Sequence, residues 1–387
     1  MSDLSGQLLA VLQAVLPGKG VKALHEPEFA GNEWAYVKEC IDTGWVSSAG
    51  KYVDEFEVRL AQFTGAKHVV AVVNGTAALQ IALQLAGVQT GEEVLVPGLT
   101  FVATANAVVH CRGVPHFVDS ADATLGIDPQ ALRIYLADIA EPTAGGWRNR
   151  VTGRRLAALV PMHALGHPID MPKILDIAAQ YALPVIEDAA ESLGSSLFGR
   201  HTGTFGLMGT LSFNGNKIVT TGGGGAILTD DAELARHAKH LTTTAKRPHR
   251  WEFFHDEVGF NYRLPNLNAA LGCAQLERLP DMLARKRRLA QSYRAQFAAT
   301  TGMEFIDEPA GAMSNFWLNA VRIAGNIAER DAILAALNDA GYQCRPIWTL
   351  LHRLPMYESC PRAPLPVAQR LEARVIKLPS GASLVKS

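Results

Sequence analysis

"SFNGNKIVTTGGGG", residues 212–225, places one lysine, Lys217, just ahead of four consecutive glycines. A charged amine among small, flexible residues is either a surface accident or a reactive group in a cavity. Nucleotide loops are the first reading to test. A P-loop puts its glycines before the lysine and a Ser or Thr straight after it. Here Ile218 follows Lys217, and most of the glycines come later. A dinucleotide fingerprint follows the first strand and opens a helix. Here the glycines lead into "AILTD", which reads as a strand. Both nucleotide readings fit poorly.

Outward from the lysine, apolar strands alternate with helical patterns from about residue 69 to 230. "HVVAVVN" (68–74), "EEVLVPG", "VPHFVDS", "RLAALVPMH", "LPVIEDAAE", "TLSFN" and "GGAILTD" read as strands. "TAALQIALQLAG", "ATANAVVHC" and "PKILDIAAQYA" read as helices. This predicts an α/β fold whose large unit is a mostly parallel, mixed sheet covered by helices. After residue 230 the pattern changes. "DDAELARHAKHL" reads as a helix with Asp230 or Asp231 as N-cap. A long helical stretch covers 267–298, with Pro280 as a potential kink. A smaller α+β unit closes the chain: strand 315–323, helix 329–341, strand 343–348. The expected division is 1–260, an N-terminal arm and the large unit, and 261–387, the long helix and the small C-terminal unit. Residues 141–155 read as an exposed insertion, and "ARKRR" (284–288) as an exposed helix face.

Bulk properties narrow the function. At about 150 residues per domain, 387 residues suggest two or three domains. The formal net charge of −1 supplies no positive field for nucleic acid or an anionic membrane. The five cysteines are odd in number, widely spaced and contain no C-x-x-C, which speaks against a disulfide framework or a zinc site and fits a cytoplasmic location. "MSDLSGQLLAVLQAVLPG" mimics a signal peptide, but Asp3, the lack of a basic residue and Gln13 make it a short amphipathic helix. No apolar run approaches the ~20 residues that span a bilayer.

Two further stretches bear on the lysine. "NGTAALQ" (74–80) lies where a strand hands over to a helix. Gly75 allows close backbone approach, Thr76 offers a hydroxyl, and the N–H groups of Thr76, Ala77 and Ala78 begin the helix. That is an ordinary capped turn or an anion site whose usual guest is phosphate. "VIEDAAES" (185–192) ends a strand in Glu187 and Asp188, which alternation sends to opposite faces. An acid at that strand end can bind metal, act as a base, or partner a cationic ring nitrogen. No His/Asp/Glu cluster at metal spacing accompanies it, so no metal is expected. Pyridoxal 5'-phosphate (PLP) uses all three features: a lysine amine to anchor it, a carboxylate to keep its pyridine nitrogen protonated, and a phosphate cradle. Lys217 is then the covalent anchor and proton carrier, and Asp188 the partner of the ring nitrogen.

Nearly the whole chain, from "GNEWAYVKECIDTGWVSSAGKYVDEFE" to "VIKLPSG", also resembles the DegT/StrS sugar-nucleotide aminotransferases of the aspartate-aminotransferase superfamily, PLP fold type I. The resemblance rests on "NGTAALQIAL", "VPGLTFVATANAV", "GHPIDM", "IEDAAESLGS", "GTFG", "LSFNGNKIVTTGGGG" and "GFNYRLPNLNAALG", in that order. It implies Lys217 and Asp188 in the roles just given, with Gly75, Thr76 and Ala77 in the phosphate turn and Ser212 also on the phosphate. It implies Phe101 stacked on the cofactor ring, although core packing explains a phenylalanine equally well. It implies that Asn261 reaches the phosphate of the neighbouring subunit's cofactor, so that a homodimer shares its active sites. Glu191 stands where many relatives carry Gln or His near the cofactor's phenolic oxygen, and a carboxylate there repels a phenolate unless one of them is protonated. His163 and His167 are read as structural. Residues 44–51 are placed near the sugar. Lys246, Arg247 and Arg250 lie in a segment that meets the substrate diphosphate or is a plain exposed loop.

The resemblance thus implies a homodimeric cytoplasmic aminotransferase with ping-pong kinetics. L-glutamate is the expected donor, leaving as 2-oxoglutarate. The expected acceptor is a nucleotide-diphosphate-linked 4-keto-6-deoxy sugar, plain or 2-acetamido, in the branch making legionaminic- or perosamine-type amino sugars for surface polysaccharides such as lipopolysaccharide. The alternatives are a 3-keto sugar aminotransferase, a PLP-dependent sugar dehydratase, a non-catalytic ligand-binding regulator and a nicotinamide dehydrogenase. Dehydratase relatives replace the lysine by histidine, so Lys217 speaks against that reading. The neutral charge and lack of a DNA-binding module speak against the regulator, and the misplaced glycines against the dehydrogenase.

Overall fold

The computed structural model describes residues 3–385. The large unit contains strands β1 (His68–Val72), β2 (Glu93–Pro97), β3 (Val114–Val118), β4 (Leu156–Leu159), β5 (Ile186–Asp188), β6 (Met208–Ser212) and β7 (Gly225–Thr229). Two ladders, β1-β7-β6-β5 and β4-β2-β3, are joined by parallel bridges Leu159–Val185 and Met162–Asp188. The result is one mixed sheet. β7 runs antiparallel to β1 and β6, and the remaining pairs are parallel. Every residue of β2 and of β7 is buried, as expected for strands covered on both faces.

Helices α1 (Asp3–Val15), α2 (Glu33–Thr43), α3 (Lys51–Thr64), α4 (Gly75–Leu85), α5 (Ala103–His110), α6 (Pro129–Ile139), α7 (Met171–Gln180) and α8 (Ala232–Thr242) precede the long α9 (Asn266–Phe297). Asp231, not Asp230, caps α8, accepting the amides of Glu233 and Leu234, while Asp230 accepts Lys67 N–H. The C-terminal unit adds β8 (Met303–Phe305), β9 (Asn319–Ile323), α10 (Ile327–Asp339), β10 (Arg345–Pro346), α11 (Pro366–Arg374) and β11 (Val375–Leu378). Its strands form an antiparallel sheet in the order β8-β9-β11-β10.

α9 continues through Pro280 as a single helix. Two local expectations are corrected. The 284–288 stretch of α9 is exposed only in part: Ala284 and Arg288 face solvent, whereas Arg285 bonds Glu28, and Lys286, fully buried, donates to the carbonyls of Trp317 and Ser380. Residues 140–149 form a β-hairpin rather than a bare loop, because Trp147 packs edge-on against Tyr181 and Asn149 reaches the buried Glu93. The amphipathic α1 is present, and it packs on the C-terminal unit: Leu8 and Leu12 join Tyr293, Ile333 and Leu337 in one apolar cluster.

Candidate active site

A cavity of about 460 Å³ opens between the carboxyl ends of the large-sheet strands and the C-terminal unit. Seven of the nine residues singled out in the sequence line it: Gly75, Thr76, Phe101, Asp188, Glu191, Ser212 and Lys217. Ala77 is buried behind the wall. Asn261 is exposed outside the cavity, in an antiparallel bridge with Thr243.

The start of α4 forms one end. Asn74 caps the helix, its Oδ1 accepting Ala77 N–H at 2.8 Å, and its carbonyl accepts Ala78 N–H at 3.1 Å. Of the three amides expected to be free, only that of Thr76 has no hydrogen bond among the described residues; the cap takes the other two. A Cβ added at Gly75 would lie 2.9 Å from Ser212 Cβ, and one added at Gly225 would lie 2.5 Å from the Asn74 carbonyl carbon. Glycine at both positions lets the helix start sit against the ends of β6 and β7. The Thr76 amide and hydroxyl and the Ser212 hydroxyl thus converge at a helix N-terminus, a site that favours a phosphate dianion.

Asp188 ends β5. Thr104 Oγ1 donates to its Oδ2 at 2.8 Å, and Ala190 N–H donates to Oδ1 at 3.2 Å. Thr100 Oγ1 lies 2.9 Å from Thr104 Oγ1 and extends the chain. Burial raises the Asp188 pKa, against the pull of Thr104, Ala190 and Lys217. A carboxylate held in this way lacks a cation in contact with it, which a protonated ring nitrogen supplies. Glu187 points the other way, into a buried network: it accepts the amides of Gly203, Phe205 and Gly206 and contacts His163 Nε2 at 2.9 Å.

Lys217 lies in the irregular stretch between β6 and β7. Its Nζ is 3.6 Å from Glu191 Oε1 and 4.0 Å from the centre of the Trp317 ring. Trp317 is itself fixed by Nε1 donating to Asn216 O at 2.7 Å. Glu191 Oε2 accepts Leu165 N–H at 2.8 Å. Leu165 adopts φ 58°, a left-handed conformation that costs a leucine about 1–3 kcal/mol and aims this amide at Glu191. Burial pushes the Glu191 carboxyl up to about 7.

Residues 27–387 match the profile of the DegT/DnrJ/EryC1/StrS aminotransferase family. The chain belongs to this family. It is 36% identical to the GDP-perosamine synthase of Caulobacter vibrioides, with 93% of each chain covered. It is 35% identical to Bacillus subtilis EpsN, designated a pyridoxal phosphate-dependent aminotransferase, with 94% of this chain and 92% of that one covered. Its fold superposes on the aminotransferase TlmJ of Streptoalloteichus hindustanus with a TM-score of 0.84 at 30% identity, covering 93% and 94% of the two chains. This chain is therefore a PLP-dependent aminotransferase of fold type I. The DegT/DnrJ/EryC1/StrS geometry fits the cofactor: a helix-end cradle that a Cβ would fill, a buried carboxylate without a cation in contact among the described residues, and a lysine amine in the same cavity.

The site also draws on residues that local pattern did not reveal. Thr104 lies in "FVATANAV", where a threonine on an apolar helix gave a weak signal. Trp317, Trp348 and Lys377 come from the C-terminal unit. His25 lines the wall from the segment between α1 and α2, with neither ring nitrogen bonded to a described residue. Burial, with Lys286 and Lys217 adding to it, holds His25 well below the usual histidine pKa. In the basic segment, Lys246 lies over Phe253 and Arg250 over Trp251, whereas Arg247 is paired with Asp256 at 2.8 Å. Among the described residues, no helix is long and apolar enough to cross a membrane.

Proposed function

We propose that the chain aminates the C4 ketone of a GDP-linked 4-keto-6-deoxy hexose, with L-glutamate as donor and 2-oxoglutarate as co-product. The observation that carries the reading is Lys217 Nζ placed between the Glu191 carboxyl and the Trp317 ring, in one cavity with Asp188. GDP-perosamine synthases at 34–36% identity over more than 90% of this chain support the choice of nucleotide and carbon.

When bound, PLP supplies a cationic conjugated ring that takes up the electron pair left when a proton leaves the carbon bearing nitrogen. Lys217 carries that proton: it removes it from the α-carbon of glutamate and returns one to C4 of the sugar in the second half-reaction. Asp188, oriented by Thr104, holds the proton on the ring nitrogen. Thr76 and Ser212 fix the phosphate end, so the reacting carbon stays within reach of Nζ. Glu191, protonated or ionised near neutrality, adapts to whichever charge the neighbouring phenolic oxygen carries.

The exposed Asn261 and the aromatic, basic segment around Trp251 fit a second copy whose cavity they complete, with Lys246 and Arg250 available to a diphosphate. A cytoplasmic homodimer follows from this reading. The test is a panel of GDP-, UDP- and dTDP-linked 4-keto and 3-keto sugars, offered with glutamate and read by mass spectrometry. An amino product from the GDP-linked 4-keto-6-deoxy sugar is expected. Turnover confined to another nucleotide would reassign the substrate. Wild-type rates in Lys217→Ala would remove the mechanism.

A further inference from the structure

The cavity contains two lysines, and the reading above uses only one. Lys377 sits on β11, opposite Ala320 of β9 and Arg345 of β10. The residue is 8% exposed and lines the cavity. Its Nζ lies 5.1 Å from the centre of the Trp348 ring. Among the described residues it makes no hydrogen bond or ion pair with a carboxylate. A buried ammonium without an anion is an unfavourable arrangement, and an indole face offsets only part of the lost hydration. Burial accordingly lowers its pKa to about 8, while the field of Glu191 pulls it back up. The arrangement is complete only when an anion enters.

Four anionic groups visit this site, and their chemistry separates them. The cofactor phosphate is met by the α4 terminus and Ser212, both in the large unit. The diphosphate of the acceptor hangs on C1 of the sugar, across the ring from C4. Of the two carboxylates of glutamate, the γ-carboxylate is two methylenes away from the carbon that loses its proton, whereas the α-carboxylate is bonded directly to it. Lys377 is buried in the wall of the same cavity as Lys217 and Glu191, so its charge faces the space in which the reacting carbon must lie. We propose that Lys377 is the receptor for the α-carboxylate of the amino donor. This rests on the aminotransferase reading above, in which the donor is an amino acid.

Ping-pong kinetics make the assignment testable, because kcat/KM for each substrate reports only its own half-reaction. In cofactor-loaded Lys377→Gln, kcat/KM for glutamate should fall about 10–100-fold, the range expected for one lost charged hydrogen bond. The value for the keto sugar should change no more than about threefold, and Lys377→Arg should recover part of the loss. Maleate, an unreactive dicarboxylate, gives a second measurement: its dissociation constant, titrated by the visible absorbance of the loaded protein, should rise in parallel in the Gln variant. Unchanged glutamate and maleate constants in Lys377→Gln would overturn the assignment, as would an equal loss toward both substrates. Loaded wild-type protein whose absorbance ignores every amino acid would instead overturn the donor reading itself, and this assignment with it.

Discussion

The ammonium of Lys217 lies 4.0 Å from the centre of the Trp317 ring, joining the irregular loop of the large unit to the C-terminal unit. The ring bounds where Nζ can go, and its own Nε1 bond to Asn216 O returns to the same loop. Trp317→Ala removes both restraints. A cation–π contact of about 1–2 kcal/mol implies a fall in kcat of roughly 5–30-fold. Trp317→Phe keeps a ring face and should lie between. Steady-state rates for the two variants check this, and an Ala variant as fast as wild type would contradict it.

Asp188 and Thr104 form a second pair. Asp188→Asn preserves shape but removes the charge that, in the proposed role, keeps a ring nitrogen protonated, so turnover should fall by about 10²–10⁴-fold. Thr104→Val leaves the carboxylate one donor short, and the expected loss is about tenfold. The order Asn well below Val, with cofactor still bound in both, is the outcome to look for in 2-oxoglutarate release.

Glu191 makes stability depend on pH. Burial raises its carboxyl from 4.5 to about 7. The folded chain therefore keeps a proton that the unfolded chain releases over that interval. The stabilisation is complete below pH 4.5 and is lost as pH rises through 7. Glu191→Gln still accepts Leu165 N–H but cannot ionise. Relative to wild type, the cofactor-free Gln variant should gain on the order of 2–3 kcal/mol between pH 5 and pH 8.5. Chemical denaturation at the two pH values measures the difference, and a constant gap would exclude ionisation of Glu191 as its source.

Gly75 sets the close approach between the helix start and Ser212 at the cradle. Gly75→Ala puts a methyl 2.9 Å from Ser212 Cβ and must push apart the two groups that meet the phosphate. Cofactor affinity should fall about tenfold or more, with little change in thermal stability of the cofactor-free protein. Equilibrium dialysis against PLP gives the number, and wild-type affinity would show that the cradle tolerates the shift.

Local pattern carried much of this architecture. Apolar runs such as those at β2 and β7 can be read as buried strands, and the adjacent acids Glu187 and Asp188 at a strand end mark a candidate site. Strand direction is not written locally: β7 looks like its parallel neighbours, and only its pairing with β1 and β6 reverses it. Burial of Arg285 and Lys286 was equally hidden, since a run of basic residues on a helix reads as a solvated face. Their partners, Glu28 and the Trp317 and Ser380 carbonyls, are distant in the chain. Trp317, Trp348 and Lys377 share that difficulty, because a cavity wall assembled from a separate unit leaves no spacing to recognise.

The pairing of β1 has a kinetic cost for biosynthesis. His68–Val72 pairs along its length with Gly225–Thr229, and its other edge meets the later segment around Arg263, through a Val72–Arg263 bridge and Val73 N–H donating to Tyr262 O. A ribosome adding about 5–20 residues per second needs roughly 8–30 s to deliver the second segment after the first. Throughout that interval a mostly apolar edge, followed at once by the helix start proposed to hold the cofactor phosphate, lacks its strand partner. Nascent protein at this stage is the form most exposed to chaperones and to aggregation, and slowing translation between codons 72 and 225 should lower the soluble yield without altering the finished enzyme.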